Sequence, residues 1–376
     1  MRIAVVGAGV SGLVAARGLH AAHEVTVFEA GGRLGGHVHT WEFSLAGRRW
    51  AVDSGFIVYN ERNYPQFTRL LAECGVASQP TTMSFSVRHD RDDLEYNGTT
   101  LATLFAQRRN LARPRFLRML AAILRFHRAA VSTVRAGPPT LTLGELLEAG
   151  GYPAELAEWY LVPICSALWS LPASSALDLP AAYVVEFLDN HGMLEVHNRP
   201  QWRVIQGGSA RYVEAVCAPF RSQVRLGHPV QEVRRYEDRV EVDGERFDRV
   251  VLACHADQSL AMLADPSPAE REVLGALPYQ VNDALVHTDT AILPRRRRAW
   301  GAWNHRVTDQ SAPAVVTYNM NLLQSLSAPE TFCVTLNGEH FVDPSRVLGR
   351  VRYHHPVATL AGQAARARRA ELSGRH

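Results

Sequence analysis

The 376-residue sequence predicts an α/β fold, a Rossmann-like nucleotide-binding domain with an α+β domain inserted into it. Three observations predict it. The chain opens on strand, glycine turn, helix, strand and acid, in that order. An apolar run of the same buried-strand kind returns late, at Arg249-Val250-Val251-Leu252-Ala253-Cys254-His255. Between them, from Val76 to about Arg203, the pattern changes to short strands and amphipathic helices that leave the nucleotide fold.

Arg2 to Val6 is a short apolar run and reads as a buried parallel strand. Gly7-Ala8-Gly9-Val10-Ser11-Gly12 follows at once, and Leu13 to Leu19 continues at helical period. In such a unit Gly7 permits the tight turn, Gly9 lets a pyrophosphate approach the backbone, and Gly12 lets helix and strand pack closely. The helix N-terminus offers unpaired N–H groups and a partial positive charge to phosphates. A second strand, Glu24 to Phe28, ends on Glu29, which follows Gly12 by 17 residues. That is near the spacing of about 20 expected of the acid that holds a ribose hydroxyl.

A second glycine turn carrying an arginine comes next: Ala30-Gly31-Gly32-Arg33-Leu34-Gly35-Gly36. Glu-x-x-x-Arg-x-Gly-Gly resembles the FAD-binding signature of the flavin amine oxidase, protoporphyrinogen oxidase and phytoene desaturase superfamily. The resemblance implies a GR2-type FAD-binding domain with FAD as cofactor, Arg33, Gly35 and Gly36 lying along the diphosphate and ribityl chain. The cofactor-binding set it implies is Gly7, Gly9, Val10, Ser11, Gly12, Glu29, Ala30, Arg33, Gly35, Gly36, Gly55, Phe56, Val230 and Ala253. Gly55 and Phe56 enter it through Asp53-Ser54-Gly55-Phe56, a loop that lies near the flavin ring in that superfamily. Val230 enters as the position whose backbone meets adenine, on an expected strand Pro229–Val233, and Ala253 as the end of the late buried strand.

Composition narrows the class. Hydrophobic residues at 47% and charged residues at 20% are globular, and a net charge of +3 gives no reason to expect a nucleic-acid partner. Five scattered cysteines form no C-x-x-C or zinc spacing and read as reduced thiols of a cytoplasmic protein. The two histidines His37 and His39, followed by Asp53, might suggest a metal site, but they find no third ligand at sensible spacing, so no metal is expected. The N-terminus begins directly with the nucleotide strand, leaving no room for a signal peptide, and no apolar run reaches 18 residues.

Further along, strands are expected near 41–45 and 48–52, a helix over 66–74, and strands near 83–88 and 93–96. A helical block, 101–136, carries Arg108, Arg109, Arg113, Arg115, Arg118, Arg125 and Arg128 among bulky apolar residues, with no acid between Phe105 and Arg128. Such a helix is either a membrane-surface element or a solvated basic face packed on the core. Helices over 143–149, 154–168 and 181–191 would roof the active site, with Trp159, Trp169 and Trp202 as core or pocket wall. After the Gly207-Gly208 turn, a strand at 224–226, a hairpin around Asp243-Gly244 and the late buried strand complete the nucleotide fold. Strands at 283–289, 314–319 and 332–336 suggest a mixed sheet flooring the substrate cavity. The expected division is 1–75, 204–265 and 350–376 for the FAD-binding domain, and 76–203 and 266–349 for the substrate domain. Arg295 to Arg298, beside Trp300 and Trp303, is either a solvated loop or a contact for phosphate headgroups.

Longer stretches, among them Trp300 to Asn304, Thr317 to Asn321 and Tyr353 to Pro356, resemble a bacterial branch of amine-oxidase-like flavoproteins associated with fatty-acyl modification. This implies an FAD-dependent oxidoreductase that desaturates a lipid or fatty-acyl chain, cytoplasmic and peripheral at the inner face of the membrane. Arg108–Arg128 and Arg295–Arg298 would then be its lipid contacts. The alternatives are an amine or small-substrate oxidase of the same fold, or a non-catalytic flavin- or nucleotide-binding protein. The chain holds no lysine, so it lacks the lysine that many amine oxidases set against the reactive flavin nitrogen. It also ends before the last strand and glycine turn that the resemblance leads one to expect, which would make it a fragment or a domain that closes without them. Tyr59, Tyr318, His354 and His355 are the candidate proton-handling residues, since they sit in motif loops and can donate or accept protons.

Overall fold

In the computed structural model, which describes residues 1–138, 140–195, 199–308 and 313–374, four strands form one parallel sheet. Their order is Val224–Arg225, Glu24–Phe28, Arg2–Val6, Arg249–Leu252. In register, Val5 sits between Val27 and Val251. Ala4, Val5, Val25 and Val27 are buried because both faces of the sheet are covered, which is why these strands read as unbroken apolar runs. Helices Val10–Leu19 and Ala210–Cys217 cover one face, their Leu13, Ala16, Val213 and Val216 packing with Val5 and Val27. A three-stranded antiparallel sheet, Val233–Arg235, Val240–Val242 and Glu245–Phe247, packs with Ala4 and Phe28. Its hairpin turns at Asp243 and Gly244, both at positive φ (47° and 82°), as a tight two-residue hairpin requires.

The expected strand Pro229–Val233 is corrected: only Val233 joins the ladder. The N–H groups of Gln231 and Glu232 are both taken by Asp243 Oδ1, at 2.9 and 2.8 Å, so they have nothing left for a strand partner. Val230 lies in the irregular segment before it.

The second body centres on a seven-stranded sheet. Its order is Val347–Pro356, Tyr279–His287, Cys333–Leu336, Val315–Asn319, Trp303–Val307, Phe85–His89, Leu94–Asn97. Only the pairing of Trp303–Val307 with Phe85–His89 is parallel. The longest strand, Val347–Pro356, runs through the boundary expected at residue 350. Residues 350–356 therefore belong to this sheet, and the assignment of 350–376 to the FAD-binding domain is corrected to that extent. The strand escapes a sequence reading because Arg350, Arg352 and His354 alternate outward and dilute its apolar signal. Residues 375 and 376 lie outside the described residues.

The expected helical block over 101–136 is also corrected. It is a short helix Leu101–Leu104, a 3₁₀ segment Arg108–Ala112 and a long helix Pro114–Ala136. Pro114 opens the long helix at a position where its missing N–H costs nothing. Over 154–169 the helix passes through one π-turn, Ala157–Leu161. Pro163 cannot donate to the Trp159 carbonyl one turn back; the hydroxyl of fully buried Tyr96 donates to it instead. Phe126, Leu146, Leu156, Ile164, Val184 and Leu188 knit these helices into a core of their own.

A buried carboxylate joins the two bodies. Asp53 is fully buried and accepts from Thr40 Oγ1, from Ser209 N–H (2.9 Å) and from Ser209 Oγ (2.9 Å). Its own N–H donates to Oε1 of Gln324, the residue that ends the short helix Met320–Leu323, at 2.9 Å. Burial pushes the Asp53 carboxyl up to about 6, against these hydrogen bonds, which pull it down.

Candidate active site

The two glycine turns lie side by side. Gly35 N–H donates to Ala8 O at 2.9 Å, and Gly9 and Gly35 pair as a parallel bridge. Each turn is closed to a side chain at one glycine: a Cβ on Gly12 would sit 1.9 Å from Gly7 O, and one on Gly36 would sit 3.1 Å from Gly9 Cα. Among the described residues no side chain caps the helix at Gly9, which leaves its first N–H groups without an internal partner there. Half-buried Glu29 accepts from the N–H of Ala8 and of Gly31, each at 2.8 Å, which leaves lone pairs on both oxygens. Ala30 follows it, exposed. Arg33 turns inward and holds the second turn by its carbonyls, donating to Gly36 O at 2.7 Å and Val38 O at 2.9 Å. The segment before Val230 is tied alongside, His228 N–H to Glu29 O and Gly227 N–H to Gly31 O. Ala253 closes the base, its N–H on Val6 O and its carbonyl 2.8 Å from where a Gly7 Cβ would stand. Unpaired N–H groups, a cradle that a single Cβ would fill and a half-free carboxylate one turn away fit a nucleotide diphosphate and its ribose.

Beyond Gly36 the cleft changes character. Gly55 meets His37 so closely that a Cβ there would lie 1.6 Å from His37 O. Phe56 turns back into the nucleotide core against Tyr64 and Phe67. Around the His37 ring stand Tyr353, His355 and His255, edge-on, with centroids at 5.0, 5.3 and 5.6 Å. Burial first, then the neighbouring imidazoles and Arg33, lower His37 to about 4, so its ring is neutral at neutral pH. Tyr353 is anchored by its hydroxyl to Ser54 Oγ at 2.9 Å.

The candidate residues separate. His355 joins the cluster. His354, next to it, points the other way and is exposed, 6.2 Å from the His255 ring. Tyr318 packs on the inner sheet beside Trp303 and in the apolar group that includes Tyr353; burial pushes its hydroxyl up. Tyr59 lies in the nucleotide core, 2% exposed, its hydroxyl donated to Ser78 Oγ at 2.8 Å. His39 stacks on Trp41, and Asp53 is enclosed by Thr40, Ser209 and Gln324, so the three residues weighed as metal ligands face three different ways. Sequence reasoning did not single out His255, Tyr353 or Asn282, which the fold brings to His37 and His355. The only signal was that Tyr353 falls in a stretch already quoted for the resemblance and that His255 ends the late apolar run.

Of the seven arginines over 108–128, five are engaged. Arg115 and Arg118 grip Glu155 at 2.7 and 2.6 Å, Arg109 pairs with Asp93, Arg113 donates to Asp92 O, and Arg125 donates to Gly151 O. Arg113 and Arg115 also lie over Trp159, the fully buried core tryptophan. The acids absent from the helix itself come from neighbouring elements.

A model of the flavin containing amine oxidoreductase family matches residues 10–321, and the chain belongs to that family. It is an FAD-dependent oxidoreductase, and the cradle above is the part that would hold the cofactor. Solved structures share the fold at low identity. A CLA-producing fatty acid isomerase from P. acnes matches with a TM-score of 0.68 and 16% identity over 100% of this chain and 91% of that one. Cyclohexylamine oxidase from Brevibacterium oxydans IH-35A gives 0.66 and 14% over 97% and 90%. Putrescine oxidase bound to putrescine gives 0.61 and 17% over 90% and 76%. Among the described residues no helix is long and apolar enough to cross a membrane.

Proposed function

We propose that this oxidoreductase dehydrogenates the acyl chain of a lipid presented at an anionic membrane surface on the cytoplasmic side. One observation carries the choice of substrate. The two arginine stretches, far apart in sequence, meet at the Leu94–Asn97 edge of the substrate sheet, where Arg109 and Arg295 share Asp93. Arg108 and Arg298 stand exposed there without a partner among the described residues, close to exposed Leu101 and Leu111. Arginines around protruding leucines suit phosphate headgroups over acyl chains. The fatty acid isomerase of like fold and the lack of lysine support the reading.

When bound, FAD supplies a two-electron acceptor. The chain's own part is to hold it, to keep water out with the Tyr318, Trp303 and Tyr353 face, and to present neutral imidazoles to departing protons. Removing two hydrogens from an acyl chain needs alignment and a dry site more than a strong base.

The test is anaerobic. Holoenzyme is mixed with phosphatidylglycerol vesicles; flavin bleaching and the acyl masses are followed. Bleaching with acyl chains lighter by two hydrogens is the expected result. Bleaching by putrescine or cyclohexylamine instead returns the amine-oxidase reading, and bleaching by neither returns the non-catalytic one. Arg295–Arg298→Ser should weaken vesicle binding about tenfold or more, since each arginine near the surface contributes about 1 kcal/mol.

A further inference from the structure

His355 has one hydrogen-bond partner among the described residues, and that partner's orientation is fixed from outside. The backbone N–H of Asp283 donates to Asn337 Oδ1 at 3.2 Å, so the other amide atom of Asn337 is nitrogen. That nitrogen faces Ala314 O at 3.4 Å and Asn282 Oδ1 at 2.7 Å. Asn282, fully buried, therefore turns its own Nδ2 to Nδ1 of His355, at 2.8 Å. Two backbone groups of known polarity thus set both amides, and an amide N–H against Nδ1 requires Nδ1 to accept. Burial, then His255 and His354, hold His355 below the usual imidazole range, so the ring is neutral and carries its proton on Nε2. Asn337 keeps its place at a φ of 55°, an unfavoured backbone for most residues and one that asparagine tolerates.

We propose that Asn282 and Asn337 are positioning residues that lock His355 in the Nε2–H tautomer, so that the cluster around His37 offers a hydrogen-bond donor to an acceptor of the bound flavin. The inference rests on the flavin site described above and not on the lipid substrate. It applies to the resting holoenzyme without substrate, so failure of the desaturase reading leaves it standing.

The experiment is ¹⁵N NMR of holoenzyme labelled at histidine, with the His355 signals assigned by their loss in His355→Gln. The expected wild-type spectrum has Nδ1 bare and Nε2 protonated. Asn282→Asp preserves size and still accepts from Asn337, but its carboxylate draws a proton onto Nδ1; the protonated nitrogen should switch and the flavin absorption band should move with it. Asn337→Ala should give a partial change of the same sign. A wild-type ring protonated on Nδ1 overturns the proposal whether or not the variants fold. So does an Asn282→Asp enzyme whose His355 signals or flavin band stay unchanged.

Discussion

The glycine cradle and the imidazole cleft adjoin at Gly36 and His37, yet they are built in opposite ways. The cradle comes from one stretch of 36 residues whose turns are set by missing side chains, with Ala253 as its base. The cleft is assembled from His37, His255, Asn282, Asn337, Tyr353 and His355, brought together by pairing of Tyr279–His287 with Val347–Pro356. A local device tolerates almost no change in its own residues. A distributed one depends on the sheet that carries it, and each residue in it contributes less.

The sharpest way to break this contrast is Gly12→Ala. Its Cβ would collide with Gly7 O, a backbone atom that cannot step aside, so the cost should exceed roughly 3 kcal/mol and purified protein should carry no flavin colour. A yellow, stable Gly12→Ala protein would show that the cradle is not what the collision implies.

Next in size is Asp53, the joint between the two bodies. Asp53→Asn sets an amide N–H against the donors of Thr40 and Ser209, costing about 2–3 kcal/mol in thermal or urea unfolding. The sign of the pH dependence follows from the raised carboxyl. The folded state holds the proton more tightly than the unfolded chain, so this group's contribution is greatest below pH 4. It declines as pH rises toward about 6, by roughly 3 kcal/mol at 1.4 kcal/mol per unit. The stability gap between wild type and Asp53→Asn should therefore narrow from pH 4 to pH 7; a gap independent of pH would mean that Asp53 titrates alike in both states.

Glu29→Gln should weaken FAD about 10- to 100-fold, as expected for loss of a charged hydrogen bond to a ligand, and lower stability by about 1–2 kcal/mol, because its amide N–H then opposes the N–H of Ala8 or Gly31. Titration of apoprotein with FAD measures it. The smallest effect is expected from Tyr59→Phe. It removes one buried hydrogen bond, to Ser78, worth about 1 kcal/mol, and leaves turnover within about twofold. A large loss of turnover in a stable Tyr59→Phe enzyme would put the reacting centre on the wrong side of the cradle.

The early expectations divide along the same line. The two glycine turns at Gly7 to Gly12 and Gly35-Gly36 were legible because spacing and backbone freedom are written in adjacent residues. The strand Val347–Pro356 was not, since its outward arginines and histidine hide an element that exists only through its neighbour. The arginines over 108–128 looked uncompensated for a related reason: Glu155 and Asp93 reach them only in the fold. His355 was legible as a residue able to carry a proton. Which nitrogen carries it was not, because that depends on the backbone N–H of Asp283, 72 positions earlier, relayed through two amides.

What the sequence by itself determined is therefore the pair of glycine turns, because turn geometry and helix termini are short-range and a glycine's freedom does not depend on distant contacts, and, through the resemblance those turns carry, the cofactor FAD. Only the tertiary structure decided which histidines meet, which arginines are spent on internal ion pairs, and that Asp53 fastens one body to the other. Those are contacts between residues tens to hundreds of positions apart, and their partners are selected by sheet register and burial, which no local pattern encodes.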